Sequence, residues 1–214
     1  MATPFSDTVT EQVADAITRG DGKRVSQLIR IGADPTAIGT DGVSLLDWAV
    51  VTRAKDPFLV LLDAGANPLH ADDAGDTALH YAAIVEDSWY LDALLARPVQ
   101  VDIANQRTRR TPVMDAVMFG RRAQVHMLLA AGASPNATDL AGDTPLHIAS
   151  EIDDYSTVLD LLEAGADPTL LNHQGATFQR YLFMTERQLL TTHASRARDQ
   201  VVTWLQRHNF PVDQ

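Results

Sequence analysis

The feature that most constrains this chain is an internal repetition with a period of 33 or 34 residues. Leucine pairs begin at positions 61, 94, 128 and 161, and a Ser or Thr recurs at positions 44, 77, 111, 144 and 177. A Gly-Ala-x-Pro tetrapeptide occurs at 32–35, 65–68, 132–135 and 165–168. A repeat of this length cannot bury its own apolar residues, so neighbouring repeats must stack to share one core.

The unit that begins at Thr144 shows how one repeat is built. The Thr144 hydroxyl can cap a helix, and Pro145 suits the first helical position, where a missing N–H costs nothing. A turn at 153–154 leads to a second helix, which Gly165 ends in a left-handed conformation. An extended finger follows and turns near 172–175. The sequence therefore predicts a helix pair and a finger in each repeat.

The residues at the start of two repeats resemble a known signature. Thr-Ala-Leu-His-Tyr-Ala-Ala at 77–83 and Thr-Pro-Leu-His-Ile-Ala-Ser at 144–150 are similar to the T-P-L-H-x-A-A signature of ankyrin repeats. The resemblance covers roughly residues 8–208. It implies an all-α ankyrin-repeat solenoid of stacked helix-turn-helix units with β-hairpin or loop fingers. It also implies that His80 and His147 hydrogen-bond backbone groups between repeats.

On this resemblance we expect a single ankyrin-repeat domain over residues 1–214. An N-terminal capping repeat precedes four internal repeats and an extended C-terminal capping repeat, with boundaries at 1–38, 39–71, 72–104, 105–137, 138–171 and 172–214. The last repeat departs most from the pattern. Its inner helix is expected from Thr177 to about Leu190 and its final helix from Ser195 to about His208, with an insertion at 185–195 whose structure the sequence does not reveal.

The balance of charge limits the class of partner. The chain has 28 acidic and 17 basic residues and a formal net charge of −11. Residues 135–176 contain eight acidic and no basic side chains, whereas residues 105–134 contain five basic side chains and one acidic one. Most of this surface would repel DNA or RNA. The composition therefore excludes nucleic acid as the main partner and favours a basic protein.

Location and oligomeric state are predicted from what the sequence lacks. The N-terminal residues have neither the basic start nor the apolar run of a signal peptide. No stretch approaches the roughly 18–20 apolar residues that span a bilayer. These observations predict a cytoplasmic protein with no membrane partner, and we expect a monomer when no partner is bound. Only two of the basic residues are Lys, a bias that suggests a bacterial genome rich in G and C.

No arrangement of polar residues indicates catalysis. The chain has no Cys, which excludes thiolate zinc sites and cysteine nucleophiles. It also lacks H-E-x-x-H, a Gly-rich phosphate loop and G-x-S-x-G. Paired carboxylates occur at 72–73 and 153–154, but acid–base catalysis requires a pocket that desolvates one of them. We therefore expect no enzyme activity, no metal and no cofactor.

The resemblance implies a concave docking face made of finger tips and the exposed ends of the inner helices. The helix positions form an apolar strip, for which packing between repeats is the alternative: Val51, Ile84, Val85, Met118, Phe119 and Ile152. An Arg cluster would bind an acidic or phosphorylated element, or else be neutralised by neighbouring acidic repeats: Arg107, Arg109, Arg110, Arg121 and Arg122. The other candidate docking residues are Asp41, Trp48, Asp73, Asp76, Leu140, Asp143 and Glu151.

The three Trp residues receive separate interpretations. Trp48 and Trp89 are expected to be partly exposed, and either one could be an anchor for a partner. Trp204 is expected in the core of the last repeat.

The sequence predicts a non-enzymatic protein-binding module, and its specific role rests on weaker signals. Small size, acidic charge and the suspected bacterial origin favour occlusion of a basic partner, as an immunity protein covers a bacterial toxin. The first alternative is a secreted bacterial effector or adaptor that recruits a eukaryotic protein. The second is an enzyme with an unrecognised site in the groove.

Overall fold

The computed structural model describes residues 3–212, and this range contains twelve α-helices. In chain order they are α1 Thr8–Thr18, α2 Gly22–Arg30, α3 Leu45–Val51, α4 Lys55–Asp63, α5 Ala78–Ile84, α6 Trp89–Leu95, α7 Pro112–Met118, α8 Arg122–Ala130, α9 Pro145–Glu151, α10 Tyr155–Glu163, α11 Gln179–Leu182 and α12 Thr192–Arg207. Each internal repeat proposed from the sequence contains one pair of these helices. We call the first helix of each pair the inner helix and the second the outer helix.

The chain divides into two compact units, Met1–Arg107 and Thr108–Gln214. In the first unit, the inner helices α1, α3 and α5 pack in sequence, and the outer helices α2 and α4 pack against each other. In the second unit, α7, α9 and α11 pack in the same way, and α12 packs against α10. The inner helix α9 buries every residue except its last, Glu151. An inner helix in this fold therefore offers solvent little besides its C-terminal end.

The start of α9 forms as the sequence predicts. Thr144 caps the helix, and its backbone N–H and hydroxyl lie 3.2 and 2.8 Å from Nδ1 of His147. The other ring nitrogen, Nε2, lies 3.0 Å from the backbone carbonyl of Ala176 in the next finger. Because a carbonyl only accepts, Nε2 donates and Nδ1 accepts. The predicted bond from His147 to the backbone of the next repeat is confirmed.

Main-chain hydrogen bonds tie successive fingers together within each unit. In the first unit, the Asp73 N–H donates to the Asp41 carbonyl over 2.9 Å. In the second unit, the His173 N–H donates to the Ala141 carbonyl over the same distance. Gly142 has a φ of +77°, and a side chain there would meet the His173 backbone nitrogen at 2.9 Å. Only glycine permits both this conformation and this close approach of fingers.

The C-terminal repeat differs from the prediction. Its inner helix does not extend from Thr177 to Leu190, because α11 is only the four residues Gln179–Leu182. Arg198 Nη1 lies 2.8 Å from the Thr185 carbonyl and 3.5 Å from the Leu182 carbonyl. The guanidinium thus takes acceptors that a longer helix would use internally. The final helix α12 also begins earlier than predicted, at Thr192, with Thr191 as its cap.

Two of the Trp predictions are wrong. Trp48 is not partly exposed: it is only 7% exposed, and its indole N–H donates to the Thr18 hydroxyl over 3.1 Å. Helix α1 packs on α3 and covers it. Trp204 is half-buried, whereas the next residue, Leu205, is fully buried, so the core position of α12 lies one residue later than expected. Trp89 is half-buried, as predicted.

The helices were also compared with the length of a membrane span. Between residues 3 and 212, no helix has both the length and the apolar character that crossing a bilayer requires.

Candidate protein-binding face

Large apolar side chains reach solvent at the ends of the inner helices of the second unit. Helices α7 and α9 end at Met118 and Glu151, and Phe119 and Ile152 follow them as C-caps. Met118, Phe119 and Ile152 are between 38% and 51% exposed, and the finger residue Leu140 is 60% exposed. The adjoining turns of the helices are packed, so these side chains stand on an ordered scaffold. We call Met118, Phe119, Leu140 and Ile152 the apolar face of the second unit.

The corresponding helix ends of the first unit expose less apolar surface. Val51 is exposed at the end of α3, but Ile84 and Val85 at the end of α5 are half-buried. With Trp48 in the core, the first unit keeps one large exposed apolar residue among its predicted docking residues. The exposed apolar surface predicted at these ends is therefore concentrated in the second unit.

The predicted acidic finger residues fall into two groups. Asp76 accepts a hydrogen bond from Asn105 Nδ2 over 2.5 Å, and Asp143 accepts one from Asn172 Nδ2 over 2.7 Å. Both carboxylates therefore link adjacent fingers of their own unit. Asp41 and Asp73 in the first unit are exposed, as is Glu151 in the second. Those three carboxylates are the ones placed to meet cations of a partner.

The predicted Arg cluster also separates into different environments. Arg110 is half-buried, with Nε 2.9 Å from Asp115 Oδ1 and Nη1 3.0 Å from Met118 Sδ. Arg122 makes a bidentate ion pair with Asp160 at 2.6 and 2.8 Å, which raises the pKa of Arg122. For these two residues, the alternative of neutralisation within the chain applies.

The other members of the Arg cluster are less constrained. Arg107 is exposed at the end of the first unit. In the second unit Arg109 is exposed and has a φ of +63°, while Arg121 is half-buried. Arg107 and Arg109 are therefore the cluster members whose side chains are most open to a partner.

Helix α3 carries a buried carboxylate where α9 carries His147. Asp47 is buried, and its Oδ2 accepts from the Ser44 hydroxyl over 2.6 Å and from the Ser44 N–H over 2.9 Å. Burial raises the pKa of Asp47 to about 6 despite these bonds. The group caps a helix inside the packed unit and does not face an open cleft. Its perturbed pKa follows from this structural role.

The insertion after α11 adds two exposed apolar residues that sequence reasoning missed. Met184 and Leu189 lie in the insertion after α11 and are 68% and 73% exposed. A signal for Met184 was present, because it lies 33 residues after Glu151 and 66 after Met118. The sequence analysis placed Met184 inside a long inner helix, and so did not identify it as an exposed helix end.

Comparisons with known proteins agree with these repeats. The family model described as "Ankyrin repeats (3 copies)" matches residues 59–139 and 89–172. Protein PhlB of Serratia liquefaciens is 40% identical over 152 residues, which cover 70% of this chain and 65% of PhlB. The B-cell lymphoma 3 protein homolog of Mus musculus is 31% identical over 152 residues, covering 69% of this chain and 34% of that protein.

A solved structure shows the same fold. The crystal structure of the ankyrin repeat domain of Bcl-3 superposes with a TM-score of 0.71 and 22% identity, covering 90% of this chain and 98% of that one. The family-model matches together span more than half of the chain. Ankyrin repeats are protein-binding modules, and the chain described here belongs to the ankyrin-repeat family.

Proposed function

We propose that this chain binds a basic protein through the apolar face of the second unit and thereby occludes it, as an immunity protein covers a toxin. The observation that carries the proposal is the exposure of Met118, Phe119, Leu140 and Ile152 on packed helices and fingers. Clustered apolar side chains on an ordered surface are typical of protein interfaces. Burying them against a partner would supply most of the binding free energy.

The distribution of charge supports a basic partner. The net charge is −11, and in the second unit Glu151 is exposed directly before Ile152. Complementary charge accelerates association and disfavours acidic competitors, although it adds less to affinity than the apolar contacts. The similarity to a bacterial protein, PhlB, supports a bacterial context. No feature among the described residues favours the effector alternative over occlusion. The effector role is therefore treated as one outcome of the test.

The test compares partner capture by the wild-type chain and a double variant. Phe119→Lys with Ile152→Lys removes two exposed apolar contacts and adds charge that repels a basic protein. The matched control, Val9→Lys with Ile31→Lys, makes the same changes at exposed residues of the first unit. Each immobilised protein is incubated with lysate of the source organism and eluted with a salt gradient. We expect one stoichiometric basic protein on the wild type and the control, and its loss from the double variant.

Occlusion is then tested with the purified partner. Adding one equivalent of the wild-type chain should abolish the partner's own activity. Adding one equivalent of the double variant instead should leave that activity unchanged. Capture with unchanged activity would contradict occlusion and leave only tethering. Capture that persists with the double variant would contradict the proposed face. Capture only from a eukaryotic lysate would replace occlusion with the effector alternative.

A further inference from the structure

The insertion after α11 extends the apolar face of the second unit by one repeat. Helices α7, α9 and α11 pack in order. Phe119 and Ile152 are exposed at the ends of the first two, and Met184 is exposed just after the third. The Met184 N–H donates to the Tyr181 carbonyl over 3.1 Å, so Met184 continues the last turn of α11. Three consecutive repeats therefore each present a large apolar side chain at the same end.

Hydrogen bonds around the buried Arg198 hold the insertion beside α9. The Thr185 hydroxyl donates to Asp153 Oδ2 over 2.9 Å, and Asp153 directly follows Ile152. Arg198 is only 6% exposed, donates to the Thr185 carbonyl, and lies 5.8 Å from the ring centroid of Tyr155. Met184 and Ile152 are thus fixed to each other through the residues next to them. Because these hydrogen bonds already order the backbone of the insertion, binding requires little further ordering of the main chain.

The usual distance between packed helices favours one kind of secondary structure in a partner that contacts all three residues. Packed helices lie about 8–10 Å apart. In an α-helix, residues i and i+7 lie about 10.5 Å apart on one face. In a β-strand, about 10 Å corresponds to three residues, and residues i and i+3 point to opposite faces. At this typical spacing, one face of a helix laid across the three repeats can contact Phe119, Ile152 and Met184, whereas a strand would present alternate faces to successive repeats.

The exposed carboxylates lie toward the Ile152 and Met184 end of the row. Near Phe119, Arg110 and Arg122 are already paired with Asp115 and Asp160, while Arg109 is exposed, so basic residues of an incoming helix would lie toward Ile152 and Met184.

Glu151 precedes Ile152, and Glu186 follows Met184 by two residues; both are exposed. Neither carboxylate forms an ion pair within residues 3–212. Arg187 is already neutralised by Asp199, with both nitrogen–oxygen distances at 2.6 Å. Glu186 accepts a hydrogen bond from the neutral Gln188 side chain over 2.5 Å, so its charge, like that of Glu151, can still pair with lysine or arginine on an incoming helix.

We propose that the partner presents an amphipathic, basic α-helix that lies across the ends of α7, α9 and α11, with Met184 and Leu189 of the insertion as its contacts in the last repeat. This inference rests on the proposed function and names the element that the second unit recognises. Met is well suited to the position because its flexible thioether adapts to different apolar surfaces.

A synthetic helix tests the inference without the natural partner. The probe is a labelled 21-residue peptide with leucine along one helical face and lysine on the other. One control peptide has the same composition with leucine and lysine alternating, and a second has glutamate in place of lysine. Binding to the full chain is measured by fluorescence anisotropy. We expect the helical lysine peptide to bind most tightly, and an alternating peptide that binds equally well would overturn the inference.

The variants locate the binding site. Met184→Ser with Leu189→Ser should weaken binding of the helical lysine peptide about tenfold, as loss of an apolar anchor does. Ile31→Ser, which is as exposed but lies in the first unit, should leave it unchanged. No binding by the wild type, or equal binding by the insertion variant, would overturn the proposal.

A third variant separates this inference from the proposed function. Phe119→Ser with Ile152→Ser should also weaken peptide binding. If that variant weakens binding and the insertion variant does not, the insertion is excluded and the apolar face remains. If partner capture survives Phe119→Lys with Ile152→Lys, the proposed function fails whatever the peptide shows.

Discussion

Helices α3 and α9 place different side chains at the same position of the repeat. In α9, His147 caps its own helix with Nδ1 and reaches the Ala176 carbonyl of the next finger with Nε2. In α3, Asp47 makes the same local cap to Ser44, but its Oδ1 is buried without a hydrogen-bond partner among residues 3–212. The shorter carboxylate keeps the cap but leaves one of its oxygens buried without a partner. A buried polar group stabilises a repeat only if its far end also finds a partner.

The largest expected effect comes from making α9 resemble α3. His147→Asp should remove the bond to Ala176 and bury a carboxylate, and it should lower the free energy of unfolding by about 3 kcal/mol at pH 7. Urea unfolding followed by circular dichroism measures the change. His147→Gln, which keeps an amide donor, is the matched control and should lose less. Equal losses in the two variants would mean that charge burial contributes nothing.

The second-largest effect is expected in the pH dependence of stability that Asp47 gives to α3, where α9 has His147 instead. Burial raises the pKa of Asp47 to about 6, above the ordinary aspartate value of 3.8. The folded protein therefore holds this proton more tightly than the unfolded chain does. The resulting stabilisation is fully present below pH 3.8 and is lost as the pH rises through 6. Between pH 7 and pH 4, the wild type should gain about 2 kcal/mol of unfolding free energy relative to Asp47→Asn.

Comparing the wild type with Asp47→Asn at each pH cancels the opposite contribution of carboxylates whose pKa is lowered, such as Asp160. Stability curves of the two proteins that stay parallel over this range would show that Asp47 does not titrate near pH 6.

The side-chain hydrogen bonds between fingers should contribute less to the free energy of unfolding than His147 or Asp47 protonation. Their contribution should be the same in both units. Asn172→Ala removes the donor to Asp143, and Asn105→Ala removes the equivalent donor to Asp76. Each should lower the free energy of unfolding by about 1.5 kcal/mol, the lower end of the usual range for hydrogen bonds to a charged group, because both carboxylates are half-buried. Chemical denaturation of the two single variants provides the measurement. A large difference between them would show that the units differ in their fingers as well as at α3 and α9.

The smallest effect is expected on the outer helices. Arg122→Ala breaks the exposed side of the ion pair with Asp160 and should cost less than about 1 kcal/mol. The loss should shrink as salt is raised, because the guanidinium is solvent-accessible. Thermal unfolding at low and high salt provides the measurement. A loss that does not depend on salt would point to packing of the Arg side chain instead.

Much of this architecture could be predicted from sequence because its causes are local and repeated. Thr144, Pro145 and Gly165 specify where helices begin and end, and the 33-residue period repeats these signals often enough to identify the fold. The same reasoning located the helix-end positions at 118–119 and 151–152. It failed for Trp48 and Trp204, because their burial depends on how α1 and α12 pack on neighbouring helices.

The sequence by itself determined the repeat, the caps, the signature histidines and the excess of acid, since each is set by a few adjacent residues or by composition. The tertiary structure decided which polar and apolar groups remain available to a partner. Asp143 accepts a hydrogen bond from Asn172, and Arg110 forms an ion pair with Asp115. Met184 stays exposed, in an insertion that a hydrogen bond from the buried Arg198 holds in place. The Asp143–Asn172 and Arg198–Thr185 pairs join residues 29 and 13 positions apart, and their geometry exists only once the repeats have stacked.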